Sequence, residues 1–312
     1  MLTQHLHKIG VKKRTLRSWM LLVAVVTVMT ACTSSAVMSV VYDRFGSSSS
    51  KQFKSYARYN EQQIQLIDNL ADAYHSWHRR TQLPRYAEFL RSIVSDIKAQ
   101  PSLSFETAEQ WWITVRGYSD DMRACNPFNV SADLLASLDD NQVRQMANNL
   151  RTNLNKFEDE FLSEAVDERN KRRIKEMRKW GGRAGASFND KQVNLLRETL
   201  AKQISFGKQR YELRRIWMEQ YIVLLEQRKQ PEFKAEVTRH IDATWNLTMN
   251  SLPEKWKKNE RLWTEFIRDY INLQTEEQRD KFFRKALSTA DVLDRLAVKE
   301  VKVAPVCHRV LE

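Results

Sequence analysis

Glycine and proline are scarce, with 7 and 6 residues in a chain of 312. That is about 2% each, where an ordinary composition has about 7% and 5%. Few tight turns can be built from so few breakers. This excludes a many-stranded sandwich or barrel, whose turns recur every 8–12 residues or so, as well as collagen-like and Pro/Gly-rich disordered chains. Cysteine is limited to 3 residues, too few for a disulfide-dense scaffold. No Gly-rich phosphate loop, Gly-x-Ser-x-Gly elbow or His-Glu-x-x-His pair occurs in the chain, so the common signatures of nucleotide hydrolysis, serine hydrolysis and zinc proteolysis are missing. Neither catalytic residues nor a cofactor, metal or small-molecule ligand are expected.

What is present begins with an address. Lys12, Lys13, Arg14 and Arg17 precede a run from Trp19 to Ala31 that carries no charge, with Leu21 to Val26 as its apolar centre. This is the layout of a secretory signal. The run ends in Met29-Thr30-Ala31-Cys32, small residues before a cysteine as in the bacterial lipobox, although Met29 stands where Leu is usual. Cys32 is therefore the expected lipidation site and 1–31 the expected signal peptide. Thr33, rather than Asp, after the cysteine points by analogy with enterobacterial sorting to the outer membrane, facing the periplasm. The competing readings are an uncleaved membrane anchor and a signal cut elsewhere.

The charge of +12 comes partly from this leader. Without its five basic residues, 46 basic side chains face 39 acidic ones, a net charge of +7. The excess is spread along the chain, whereas a nucleic-acid reader concentrates it on one stripe; no nucleic-acid partner is expected. Residues 32–51, ending in Ser47 to Ser50, read as a lipidated tether. As flexible chain, nearly 20 residues reach about 25 Å root-mean-square. Tyr42, Phe45 and Phe53 are the residues able to dock it.

Helix starts are the clearest local signal. A capping box needs Ser, Thr, Asp or Asn followed three residues later by Glu or Gln. Five occur, always with Gln: Asn60/Gln63, Thr107/Gln110, Asp139/Gln142, Asn189/Gln192 and Thr275/Gln278. Tyr59/Ile64, Leu138/Val143 and Phe188/Val193 add hydrophobic staples. From Asp139, apolar residues recur at steps of three and four through Phe161, and no Gly or Pro interrupts the chain before Trp180. Asn189 to Arg228 reads as a second long helix, followed by helices near 232–250, 254–272 and 275–297. Shifted by fifty residues, the second stretch echoes the first (Val143/Val193, Leu150/Leu200, Leu154/Ile204). This is either an internal duplication or the likeness any two amphipathic helices share. The expected fold is all-α, an elongated bundle of long amphipathic helices. Half one is 52–180, a Gly-rich turn spans 181–187, half two is 188–297, and the tail is 298–312.

Residues 77–90, Trp-His-Arg-Arg-Thr-Gln-Leu-Pro-Arg-Tyr-Ala-Glu-Phe-Leu, together with the lipobox and the Trp180-Gly181 turn before Phe188-Asn189-Asp190-Lys191-Gln192, resemble an uncharacterised family of proteobacterial lipoproteins, defined only as a domain of unknown function. The resemblance covers most of 20–230. It implies a helical envelope lipoprotein and carries no catalytic residues.

Read physically, Pro84 breaks or kinks the helix through this segment. Trp77, Arg79, Arg80 and Arg85 are candidate partner contacts, the arginines as guanidinium forks for an anionic group, or else solvated or paired with acids such as Asp72 and Glu88. Trp112 is a further candidate, because neighbouring Trp111 and Trp112 cannot both face one core stripe; one meets a second layer, a groove or a partner. Asp72, His75 and His78 have metal-ligand chemistry, but their spacing drifts around a helix and does not converge on one ion. If Cys32 carries lipid, Cys125 and Cys307 remain as an even pair in an oxidising compartment, a candidate disulfide; two separate thiols or an intermolecular bridge are the alternatives. The function expected is a non-enzymatic interaction or scaffold protein of the cell envelope, with the bilayer and an unidentified envelope protein as partners. A tethered helical folding chaperone and an unrecognised hydrolase are the alternatives.

Overall fold

The computed structural model describes residues 35–125 and 132–307, so the signal segment and Cys32 lie outside the described residues. Among these residues there is no strand, and no helix is long and apolar enough to cross a membrane. The helices run α1 (Ser35–Asp43), α2 (Phe45–Lys54), α3 (Glu61–Trp77), a π-helical turn (His78–Gln82), α4 (Leu83–Ala99), α5 (Phe105–Ala124), α6 (Ala132–Ala136), α7 (Asp140–Phe161), α8 (Val166–Arg183), α9 (Asp190–Lys202), α10 (Gly207–Glu226), α11 (Phe233–Ser251), α12 (Pro253–Asn272) and α13 (Glu276–Ala297).

Four of the five capping boxes form in full, at Asn60, Asp139, Asn189 and Thr275. The fifth is misplaced. Ser104 caps α5, taking the Thr107 N–H on its hydroxyl, so the helix starts one turn before Thr107. The four boxes also explain the preference for Gln over Glu. The Gln oxygen accepts from the cap residue's N–H while its NH2 is left to donate elsewhere, which a carboxylate cannot do. Gln63 and Gln142, both buried, donate to each other's oxygens at 3.2 and 2.7 Å. Gln278 donates to Gln192 Oε1 at 3.0 Å. Each pairing ties two helix starts together, α3 with α7 and α9 with α13.

Neither long helix is continuous. The first stops at Phe161 and resumes at Val166; the second breaks at 203–206. Buried Asn259 holds the second break open: its amide accepts from Ile204 N–H and donates to Ile204 O, both at 2.9 Å. Backbone groups that a continuous helix satisfies internally are satisfied here from α12. Asn272, on the same helix, does the same for Leu103 ahead of α5. The two breaks meet where Leu162 reaches Gly207. The fifty-residue echo therefore ends near Leu200, because α7 continues where α9 stops.

The densest apolar packing crosses the expected boundary between halves. α4 and α13 lie antiparallel, with Leu83, Ala87, Leu90 and Val94 against Ala286, Ala290, Leu293 and Leu296. A second cluster joins α4, α5, α9 and α12 through Ile97, Trp111, Leu196 and Phe266, and a third joins α6, α7, α10 and α11 through Leu135, Met146, Leu225 and Phe233. The turn at 181–187 is displaced: Gly181 and Gly182 belong to α8. A Cβ on Gly181 would stand 2.5 Å from Ala186 O, and Gly185 has φ +79°, a left-handed conformation for which glycine is the default.

The expected tether is the larger correction. Residues 35–54 fold as α1 and α2, and α2 packs on α3. Ser50 and Lys54 both bond Asp68, and Gly46 leaves room for Asp72 and His75. The four consecutive serines are accommodated within α2: Ser47, Ser48 and Ser49 return their hydroxyls to carbonyls of the preceding turn, a local bond that serine makes readily, and buried Ser50 bonds Asp68 on α3.

Candidate functional site

The segment singled out in the sequence, Trp77 to Arg85, is the point at which the N-terminal helices, α3, α4 and the end of α13 converge. Pro84 sits in the first turn of α4. Having no N–H, it cannot continue an unbroken ladder, and the chain widens into the π turn ahead of it, with Leu83 N–H reaching back to His78 O. That widening turns His78 and Arg79 inward.

Trp77 and Arg79 are consequently not partner contacts. They are 6% and 4% exposed. Trp77 packs with Tyr74, Cys125, Cys307 and Phe45. Arg79 donates to Leu296 O at 3.1 Å and pairs with Asp43, its guanidinium 5.0 Å from the Tyr42 ring centre. Arg80 is exposed at the surface and donates to Ala297 O at 2.9 Å. Arg85 pairs with Asp121 and lies over the Tyr118 ring. The acids serving these arginines are Asp43 and Asp121, not Asp72 and Glu88. Trp112 answers the question raised by the Trp pair. Trp111 is buried and donates to Asp96; half-buried Trp112 donates at 3.2 Å to Glu260 on α12, the carboxylate that also receives Trp256 and Arg116. Trp112 thus faces a second layer of helices.

The electrostatics of this hub follow from burial. His78 is enclosed, and its Nδ1 lies 2.8 Å from the Tyr42 hydroxyl. Desolvation, with His75 and Arg79 nearby, lowers its pKa to about 3, so the imidazole is neutral. Desolvation likewise pushes the Tyr42 hydroxyl well above its usual range. Burial acts against the Asp43 carboxylate, but hydrogen bonds from Arg79 and Lys299 outweigh it and hold Asp43 below the ordinary carboxylate value. Among the described residues no His/Cys/Asp/Glu group is placed to hold a metal ion. Chemically, the arrangement is a clamp: one buried cation, one partly exposed anion and a neutral Tyr–His pair fix α1 to the end of α13. Away from the hub, His240 stacks on Trp217, its ring centre 4.9 Å away.

Cys125 and Cys307 are joined, with Cα atoms 4.6 Å apart across 182 positions. The bond brings the end of the described chain to the edge of the hub, against Tyr74 and Trp77. The tail is thereby fastened to α5 and α3.

The chain belongs to DUF6279, a family of unknown function, whose match spans residues 55–270. No curated protein and no solved structure matches the chain. The matched region includes the π turn but stops short of its partners Tyr42, Asp43 and Leu296. Tyr42 is a docking residue legible in the sequence; Asp43 and Leu296 are not, because they lie 36 and 217 positions from Arg79, which they serve. The one signal for Asp43 is that it closes an otherwise uncharged helix.

Proposed function

We propose that this protein is a lipoprotein, acylated at Cys32 and facing the periplasm from the outer membrane, that holds a helical protein-binding body close to the bilayer as a non-enzymatic scaffold. The observation that carries this reading is the docking of α1. Cys32 precedes Ser35 by three residues, at most about 11 Å of extended chain, and α1 is clamped to the body by Tyr42, Asp43 and Lys299. A lipid on Cys32 then has almost no slack. The body is carried against the membrane rather than swinging from it, which suits a part that presents a fixed surface. The disulfide supports an oxidising compartment, where such bonds persist, and two or more acyl chains suffice for stable anchoring.

Palmitate labelling tests the anchor: Cys32→Ser should abolish the label and release the body from membranes, whereas an uncleaved, membrane-bound mutant means a signal anchor instead. In-cell crosslinking with mass spectrometry tests the scaffold and should recover one recurrent envelope protein. Its yield should fall when a Gly/Ser spacer is inserted between Ser34 and Ser35. Recovery of no specific partner would count against the scaffold, and an unchanged yield with the spacer would count against the fixed placement.

A further inference from the structure

α8 differs from its neighbours in composition and in packing. Its 18 residues hold eight Lys or Arg and three Asp or Glu, and none of them is buried. With the 184–189 turn and α9 it lines an open cleft of about 710 Å³. Lys171, Lys175, Arg178 and Lys179 line it from α8 and Arg197 from α9, and no acidic residue is among the lining groups. Among the described residues, only Lys171 of these five has a carboxylate partner, Glu168. Phe188 and Ile174 supply apolar surface and continue into the second core cluster.

This concentration of like charge is held in place rather than left loose. Phe188 is wedged beneath Gly181, where a Cβ would meet its ring at 2.9 Å. Ser187 O, on the cleft wall, accepts from Gln278 at 2.9 Å and from the Tyr270 hydroxyl at 2.9 Å. The turn that shapes the cleft is thus tied to the first turn of α13, while Arg79 and α1 are tied to its last turn. From Gln278 to Leu296 is about 27 Å at helical rise, well beyond a Debye length of about 8 Å in physiological salt. The cleft and the helices following Cys32 occupy opposite ends of α13.

We infer that this cleft is the docking site for an acidic, partly apolar segment of a partner protein. Cations around an apolar floor favour a ligand carrying both carboxylates and hydrophobic side chains, and the volume fits a short stretch of chain rather than a folded domain. The position, remote from the α1 end, favours a protein over the bilayer that carries the anchor. The inference deepens the scaffold reading and rests on it for the class of partner, but its test needs neither the anchor nor an identified partner.

The probe is a short fluorescent peptide alternating Glu and Phe, titrated by anisotropy into the full-length protein in non-ionic detergent. A Lys/Phe peptide is the control ligand. The variants are Lys175→Glu with Arg178→Glu in the cleft, Lys175→Arg with Arg178→Lys as charge-conserving replacements, and Lys51→Glu with Lys208→Glu as reversals elsewhere. Because no residue of α8 is buried and Lys51 and Lys208 are exposed, circular dichroism should show all variants folded. Binding of the acidic peptide should weaken roughly tenfold in the cleft reversal, fall with added salt, and change little in the other two. Equal loss with the distant reversals, or no binding at all, overturns the proposal. So does tighter, cleft-dependent binding to phosphatidylglycerol vesicles, which would make the occupant a lipid surface. Cys32→Ser should leave peptide binding unchanged, so failure of the anchor and failure of the cleft give different results.

Discussion

The two ends of α13 use the same helix for opposite purposes. At its last turn, Leu293 and Leu296 are buried, Arg79 and Arg80 close its final carbonyls, and the Cys125–Cys307 bond lies at the edge of the same hub. At its first turn the Thr275 box and Gln278 brace a glycine turn, beyond which α8 projects its cations with no residue buried. The hub encloses charge that is individually compensated. The cleft displays charge without lining carboxylates. In water such a display costs little, because exposed like charges are screened, so the difference marks which end compensates its charge within the fold and which leaves it to solvent.

The sharpest way to break the comparison is at the bond. Cys307→Ser should cost about 2–5 kcal/mol, read as a lower thermal midpoint by circular dichroism, with the peptide affinity of the cleft unaltered. A midpoint equal to that of the parent would mean the tail contributes nothing to the hub.

Acid should act on the same end. The pKa of folded His78, about 3, lies below the ordinary histidine value of 6.5, and burial lowers His75 in the same direction. The unfolded chain therefore binds the extra proton first. This stability is complete above the unfolded pKa, about 6.5, and is lost as pH falls toward about 3. Urea midpoints measured from about pH 7 to about pH 4 should decline, and His78→Gln should flatten the decline. An equally steep decline in the variant would assign the effect to other groups.

At the other end, Gln192→Glu removes the amide donor from Tyr270 O and places a carboxylate in a fully buried position. A loss of about 1–3 kcal/mol is expected, measured by chemical denaturation. A cost near zero would show that the box pairing there is ornamental. The smallest effect should come from α8 itself: Lys175→Ala with Arg178→Ala should stay within about 0.5 kcal/mol of the parent, as exposed substitutions do. A larger loss would mean α8 is structural after all and the contrast between the ends is false.

Much of the helical pattern was readable because its signals are local. A capping box lies within four residues, and four of five were placed correctly. The boundaries of α11, α12 and α13 follow from the apolar period together with Pro253 and Thr275. Ser104 was missed because Thr107 follows it at the third position instead of Glu or Gln, so the real cap lacks the reciprocal partner that makes a box visible. The site was less legible. Trp77 to Arg85 stood out as distinctive, yet which way Arg79 turns depends on Asp43 and Leu296, supplied by elements that approach only after folding. The basic face of α8 is visible as composition. That Phe188 and Arg197 close a cleft against it was not visible.

Sequence alone determined that the chain is helical, where six of the thirteen described α-helices begin, and that Cys125 and Cys307 were available to pair, because propensity, capping and residue counting act over a few bonds. Tertiary structure alone decided that 35–54 docks rather than dangles, that both long helices break, and that the guanidinium of Arg79 faces inward while Lys175, Arg178 and Lys179 of α8 face out. Each of these depends on groups distant in sequence, such as Asp68, Asn259, Asp43 and Phe188, satisfying or excluding what the local chain left open.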